Sequence, residues 1–121
     1  MKILIVDDEQ IHNFISIRLF RQISPDLTLF YFTDPTLALA ELPAINPDII
    51  FLDLNMPKIN GWDFLDKMIK NGQKEKVIIL TSSVSTFDHD KAREYSNVLE
   101  CIEKPIKKEK LLAILQQNGL N

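Results

Sequence analysis

The chain has 121 residues, 45% of them hydrophobic and 26% charged, the make-up of one ordinary globular domain, which excludes a disordered or fibrous protein. A chain of this size buries roughly two-thirds of its unfolded surface, so it needs no staples, and its single cysteine, Cys101, could not form an internal disulfide. A net charge of −3, from 14 basic and 17 acidic residues, argues against nucleic acid or an anionic membrane as partner, and no apolar run approaches the roughly 20 residues of a membrane span, so a cytoplasmic location is expected.

Residues 3–6 form an apolar, β-branched run that reads as a buried strand and stops at Asp7-Asp8-Glu9. The run is too short for a signal peptide. A first helix follows, with Ile11, Phe14, Ile15, Leu19 and Ile23 at helical spacing on the expected inward face and Arg18, Arg21 and Gln22 opposite. Ser24-Pro25-Asp26 closes it, and residues 27–32 read as a second strand rich in aromatic and aliphatic side chains. Asp34-Pro35 opens a short second helix, Asp as N-cap and Pro at the first helical position, with its end expected near Pro43 and Asn46-Pro47.

The third strand, residues 49–52, is four apolar residues in a row driven straight into Asp53 and then into the loop 54–60. Asn60-Gly61 leads into a third helix that carries Trp62, Leu65, Met68 and Ile69 and ends at Asn71-Gly72. Residues 77–80 form a fourth strand, followed by Thr81-Ser82-Ser83. Ser85 and Asp88 have the spacing of a capping box for a fourth helix through about Tyr95. Only Phe87 and Ala92 offer it packing, so it is the expected least firmly held helix. Residues 98–102 make a fifth strand, Glu103-Lys104-Pro105 follows, and residues 106–117 form the last helix, with Leu111, Leu112 and Leu115 inward and Asn118-Gly119 as its cap. Alternating strands and helices, with strands too uniformly apolar for one-sided burial, predict an α/β fold: a doubly wound, five-stranded parallel sheet with five helices. The strand order 2-1-3-4-5 is the common choice at this length.

Asp7 and Asp8 follow the first strand, Asp53 the third, Thr81 the fourth and Lys104 the fifth. Parallel strands put their carboxyl ends together, so these residues should converge on one crevice. Three carboxylates at close quarters repel one another, and a divalent cation relieves that repulsion. Oxygen ligands without histidine or thiolate favour Mg²⁺. Lys104 then offers a point charge, and Thr81 a hydroxyl, to an anionic group on Asp53. The chemistry this predicts is phosphoryl transfer to a carboxylate. Taken singly, each residue has an ordinary reading: acids at a helix N-terminus, a strand-end turn, a solvated lysine. His12 and His89 read as surface helix residues because no second histidine or cysteine falls at metal spacing. Cys101 reads as an inert buried thiol, and Lys104, Lys107, Lys108 and Lys110 as a solvated helix start.

Val6-Asp7-Asp8, Leu52-Asp53 with Met56-Pro57 and Gly61, Leu80-Thr81-Ser82, and Lys104-Pro105 occur in this order, and each site residue follows a predicted strand. In this the chain closely resembles, end to end, the receiver domains of bacterial two-component response regulators. The resemblance implies a flavodoxin-like fold and one receiver domain, residues 1–121. It implies that Asp53 takes a phosphoryl group from a histidine kinase or a histidine phosphotransfer protein. Asp8 and Asp53 would bind Mg²⁺ directly, Asp7 through water, and the Asn55 carbonyl would add a ligand, while Thr81 and Lys104 would hold the phosphoryl oxygens. It also implies a cis Lys104–Pro105 bond. Such a domain promotes its own phosphorylation and slow dephosphorylation, is otherwise no enzyme, and signals by binding a downstream protein.

One position departs from the family pattern. Cys101 stands three residues before the lysine, where the family usually carries Tyr or Phe, which puts in doubt the usual coupling to the face built from the fourth helix, fifth strand and last helix. Asn55 and Ser83 occupy the positions that tune water attack on the acyl phosphate, and neither is acidic, which implies no strong acceleration of hydrolysis. Two alternatives stay open. A vestigial receiver could act as a phosphorylation-independent binding module. A Mg²⁺-dependent phosphatase of the haloacid dehalogenase type would instead want an acid at position 55. The chain ends at Asn121, soon after the last helix, which leaves open docking to a partner, onward phosphate transfer, or excision from a longer protein.

Overall fold

Strands and helices alternate along the whole chain in the computed structural model, which describes residues 1–82 and 84–120. They are β1 (Lys2–Val6), α1 (Gln10–Ile23), β2 (Thr28–Phe32), α2 (Pro35–Ile45), β3 (Ile49–Asp53), α3 (Gly61–Lys70), β4 (Lys76–Thr81), α4 (Thr86–Ala92), β5 (Val98–Glu103) and α5 (Lys108–Gln117). The strands pair in parallel in the order β2-β1-β3-β4-β5, as expected. Val6 lies beside Leu52, Asp53 beside Leu80, and Thr81 beside Glu103, so the carboxyl ends of four strands finish nearly level.

Side chains alternate across the sheet with a period of two and build a core on each face. Leu4, Val6, Ile50, Leu52, Val77 and Ile79 pack under Ala38, Leu42 and Ile45 of α2 and Phe64, Leu65 and Met68 of α3. Ile3, Ile5, Ile49, Phe51, Ile78 and Leu80 pack under Phe20 of α1 and Leu111, Ile114 and Leu115 of α5. Burial on both faces is why β1, β3 and β4 are nearly unbroken apolar runs. None of the described helices is long and apolar enough to cross a membrane.

Several local expectations are corrected. The inward face of α1 is the one holding Asn13 and Phe20, seven residues and two turns apart, whereas Ile11, Phe14 and Ile15 are 60%, 54% and 58% exposed. This helix is apolar around much of its circumference, so spacing alone leaves its phase open. Helix α2 ends where Asn46-Pro47 predicts, with Asn46 at φ 48° turning the chain, but it runs through Pro43 to Ile45 first. A proline in the last turn forfeits only one backbone bond, and burial of Ile45 holds the turn. Helix α4 stops at Ala92, its one buried residue, with Phe87 66% exposed. Helix α5 begins at Lys108 rather than at Ile106, which packs against the core ahead of it, and Leu112, expected inward, is only partly buried.

Candidate functional site

Asp53 is the last residue of β3 and is 6% exposed, Asp7 follows β1 at 5%, and Asp8 is half-buried. One oxygen from each lies within 4.8 Å of the others, so the three acids predicted to meet do meet. Lys104 follows β5, where its backbone N–H donates to the Thr81 carbonyl at 2.7 Å. Its ammonium lies 2.7 Å from Asp7 Oδ2 and 3.3 Å from Asp53 Oδ1. Thr81 closes β4, almost fully buried, and its Oγ1 accepts from Asn55 Nδ2 at 3.2 Å. The Asn55 backbone N–H donates in turn to Asp53 Oδ1 at 3.3 Å, so Asn55 links the acid to the threonine. All six predicted site residues therefore share one crevice. Ser83, the other position tied to hydrolysis, lies outside the described residues.

The loop after Asp53 is held by tight backbone contacts. Gly61 N–H donates to the Leu54 carbonyl at 2.8 Å. A Cβ on Gly61 would lie 2.9 Å from Leu54 Cα and 3.0 Å from the Asp53 carbonyl oxygen, so only glycine permits this approach. Asn60 and Asp63 then form a capping box that starts α3, a cap whose three-residue spacing the sequence carries.

Two further residues touch the site unforeseen. Asn13, 1% exposed, donates from Nδ2 to the Asp7 carbonyl at 3.0 Å and so fixes the peptide between the first two acids. His12, expected on the surface, places Nδ1 3.2 Å from Asp7 Oδ2 and 3.4 Å from Lys104 Nζ. The available signal was their distance from Asp7 in sequence, which puts both in the first turns of α1, beside the strand end. His89 is exposed on α4, as expected. Cys101 is buried, and burial, reinforced by Asp88 and Glu100, pushes its thiol up to about 11, so it stays neutral. Trp62 is buried and stacks on Tyr95, their ring centroids 5.8 Å apart. Of the lysines at the start of α5, Lys107, Lys108 and Lys110 are exposed, and Lys110 pairs with Glu100 at 2.8 Å. The Lys104–Pro105 bond is cis.

The site is short of positive charge. Burial holds the Asp53 carboxyl above its usual range, opposed by Lys104, with the Asp7 charge pushing further up and the Asn55 N–H pulling down. One ammonium against three carboxylates leaves the crevice negative, and its donors toward a cation are all oxygens. This acidic triad is a candidate metal site whose chemistry suits a hard divalent ion such as Mg²⁺. Beside it a groove of about 340 Å³, lined by Asp7, His12, Ile15, Leu19, Lys104 and Ile106, runs to the exposed apolar side of α1.

Comparison with known proteins agrees with this geometry. A family model described as the response regulator receiver domain matches residues 3–116. A protein-glutamate methylesterase/protein-glutamine glutaminase of Caulobacter vibrioides is 30% identical over 87% of this chain, which covers 30% of that protein. Protein PilG of Pseudomonas aeruginosa is 29% identical over 96% of the chain and 85% of its own length. The structure of a two component response regulator from Cytophaga hutchinsonii superposes with a TM-score of 0.87 at 28% identity, covering 96% of this chain and 94% of the other. Against several of its curated relatives the chain spans less than a third of their length.

Proposed function

This chain belongs to the response regulator receiver domain family, and on that premise we propose that Asp53 accepts a phosphoryl group from the phosphohistidine of a histidine kinase or a phosphotransfer protein. One observation carries the reading: a buried carboxylate with an ammonium 3.3 Å away and two further carboxylates close enough to share a cation. An oxygen of Asp53 attacks phosphorus; the new P–O bond forms as the P–N bond breaks, and the imidazole leaves with the bonding pair. Lys104 and the Thr81 hydroxyl steady the transferred oxygens. Asp7, Asp8, Asp53 and the Asn55 carbonyl are the groups to hold Mg²⁺, which when bound supplies positive charge against those oxygens. The domain promotes its own phosphorylation and slow hydrolysis and no other turnover. Asn55 supports that limit, because a neutral amide at this place is no base for rapid water attack.

The exposed side chains Ile11, Phe14 and Ile15 support a docking site for the phosphodonor protein, since Ile15 lines the groove that also holds Asp7 and Lys104. Output passes to a downstream protein. With the small Cys101 buried where a mobile ring would serve, we assign the coupling to Thr81 and the segment after it. The test is intact-mass analysis after incubation with Mg²⁺ and acetyl phosphate. One added phosphoryl group, absent from Asp53→Asn, supports the receiver; continuing release of phosphate supports a phosphatase; no label supports a binding module independent of phosphorylation.

A further inference from the structure

Under the proposed function Asp7 and Asp8 serve one cation, yet they are consecutive residues, and consecutive side chains of an extended strand point to opposite faces. Strand β1 ends at Val6 and the chain bends at Asp8, which lets one oxygen of each acid come within 4.8 Å of the other and of Asp53. Three carboxylates at that spacing repel one another, so groups outside the triad have to hold the bend. Lys104 steadies Asp7 and Asp53, at 2.7 and 3.3 Å. Asp8 has no such support: among the described residues its side chain makes neither a hydrogen bond nor an ion pair. Its place is set by the backbone, and first by the peptide that joins it to Asp7.

Asn13 holds that peptide. From the first turns of α1 its Nδ2 donates at 3.0 Å to the Asp7 carbonyl, which is the carbonyl of the Asp7–Asp8 peptide itself. The neighbouring contacts act elsewhere: the Asp7 N–H donates to the Phe32 carbonyl at 3.1 Å, ahead of the bend, and the Glu9 N–H donates to Asp7 Oδ1 at 2.9 Å. Packing does not account for an asparagine here. Asn13 is 1% exposed on the face of α1 that also carries Phe20, and its Oδ1 accepts no hydrogen bond among the described residues, a cost that an apolar side chain of similar size would avoid. We propose that Asn13 is a positioning residue for the cation site: it keeps the Asp7–Asp8 peptide turned, so that Asp8 stands beside the other two acids before an ion arrives. The inference rests on the acidic triad being that site. Without the Asn13 amide the carboxylates of the cation-free protein spread apart, and binding has to draw them together again, which lowers affinity.

The test titrates the protein with Mg²⁺ alone and follows the backbone amide signals of residues 7, 8 and 53 by NMR, with urea unfolding in EDTA as a separate measure of stability. Asn13→Leu keeps the buried volume and Asn13→Ala empties it, but both lose the donor, so both should raise the Mg²⁺ midpoint by the same factor of about ten, on the scale of one hydrogen bond. Phe20→Leu loosens the same buried face of α1, where Phe20 packs edge-on against Phe51, and touches no acid. It should be less stable than wild type and yet bind Mg²⁺ as wild type does. Equal midpoints in wild type and Asn13→Leu overturn the proposal. So does a loss of affinity that follows stability, larger in Asn13→Ala than in Asn13→Leu and present in Phe20→Leu. Wild-type signals that Mg²⁺ does not move, or that it moves identically in Asp8→Asn, overturn the cation site itself, and so separate the two failures.

Discussion

Asp53, the proposed phosphoacceptor, sits in surroundings that resist its charge, and this sets its effect on stability. Its pKa in the folded protein is raised, by burial first and by Asp7 besides. In acid, where the carboxyl is protonated folded or unfolded, the site costs nothing; as pH rises through the folded-state value the folded protein must carry a charge the unfolded chain carries more easily. Asp53→Asn should therefore be more stable than wild type at neutral pH without divalent ions, by on the order of 1 kcal/mol, and equal to it in acid. Urea unfolding of both proteins across pH, in EDTA, reads the difference, and added Mg²⁺ should shrink it by stabilising wild type. Asn13→Ala removes the donor to the Asp7 carbonyl and should cost about 1–3 kcal/mol in the same assay. The five residues at strand ends, Asp7, Asp8, Asp53, Thr81 and Lys104, were legible in the sequence because a parallel sheet fixes where strand ends go. His12 and Asn13 were not, because their direction depends on the rotation of α1, which its apolar residues leave undetermined.

At the scale of elements, the connections after the strands decide whether the site is tight. Gly61→Ala would push a methyl group into the backbone beneath Asp53, so it should destabilise the fold by about 1–3 kcal/mol and slow phosphorylation, both measurable on one purified protein. Helix α1 presents Ile11, Phe14 and Ile15 to solvent beside the groove. Phe14→Ser should reduce phosphotransfer from a partner protein by more than about tenfold, while leaving the rate with acetyl phosphate unchanged. Helix α4 has seven residues and buries only Ala92, where α3 buries five of its ten, so α4 amides should exchange hydrogen well before those of α3. That weakness was legible in its polar pattern. What could not be read was that Phe87 faces out with Lys91 over its ring at 5.7 Å, since an aromatic in a short helix reads as packing. The passage of α2 through Pro43 was hidden for a similar reason: the burial that holds its last turn is a tertiary fact.

The whole molecule shows why so much of the site could be foreseen. Three strands buried on both faces leave a plain apolar signature, and once they and two less buried strands alternate with helices, handed crossovers leave few ways to order them. Register then brings Asp53 level with Leu80, and Thr81 level with Glu103, without any choice by the side chains. Under the proposed function, this convergence makes Asp53 the phosphoacceptor. The most direct measurement is borohydride reduction after incubation with Mg²⁺ and acetyl phosphate, because borohydride converts an acyl phosphate to an alcohol. Peptide mass spectrometry should then find homoserine at position 53 and at no other acid, and none when Mg²⁺ is chelated. An unreduced residue 53, or homoserine at position 7 or 8 instead, would contradict it.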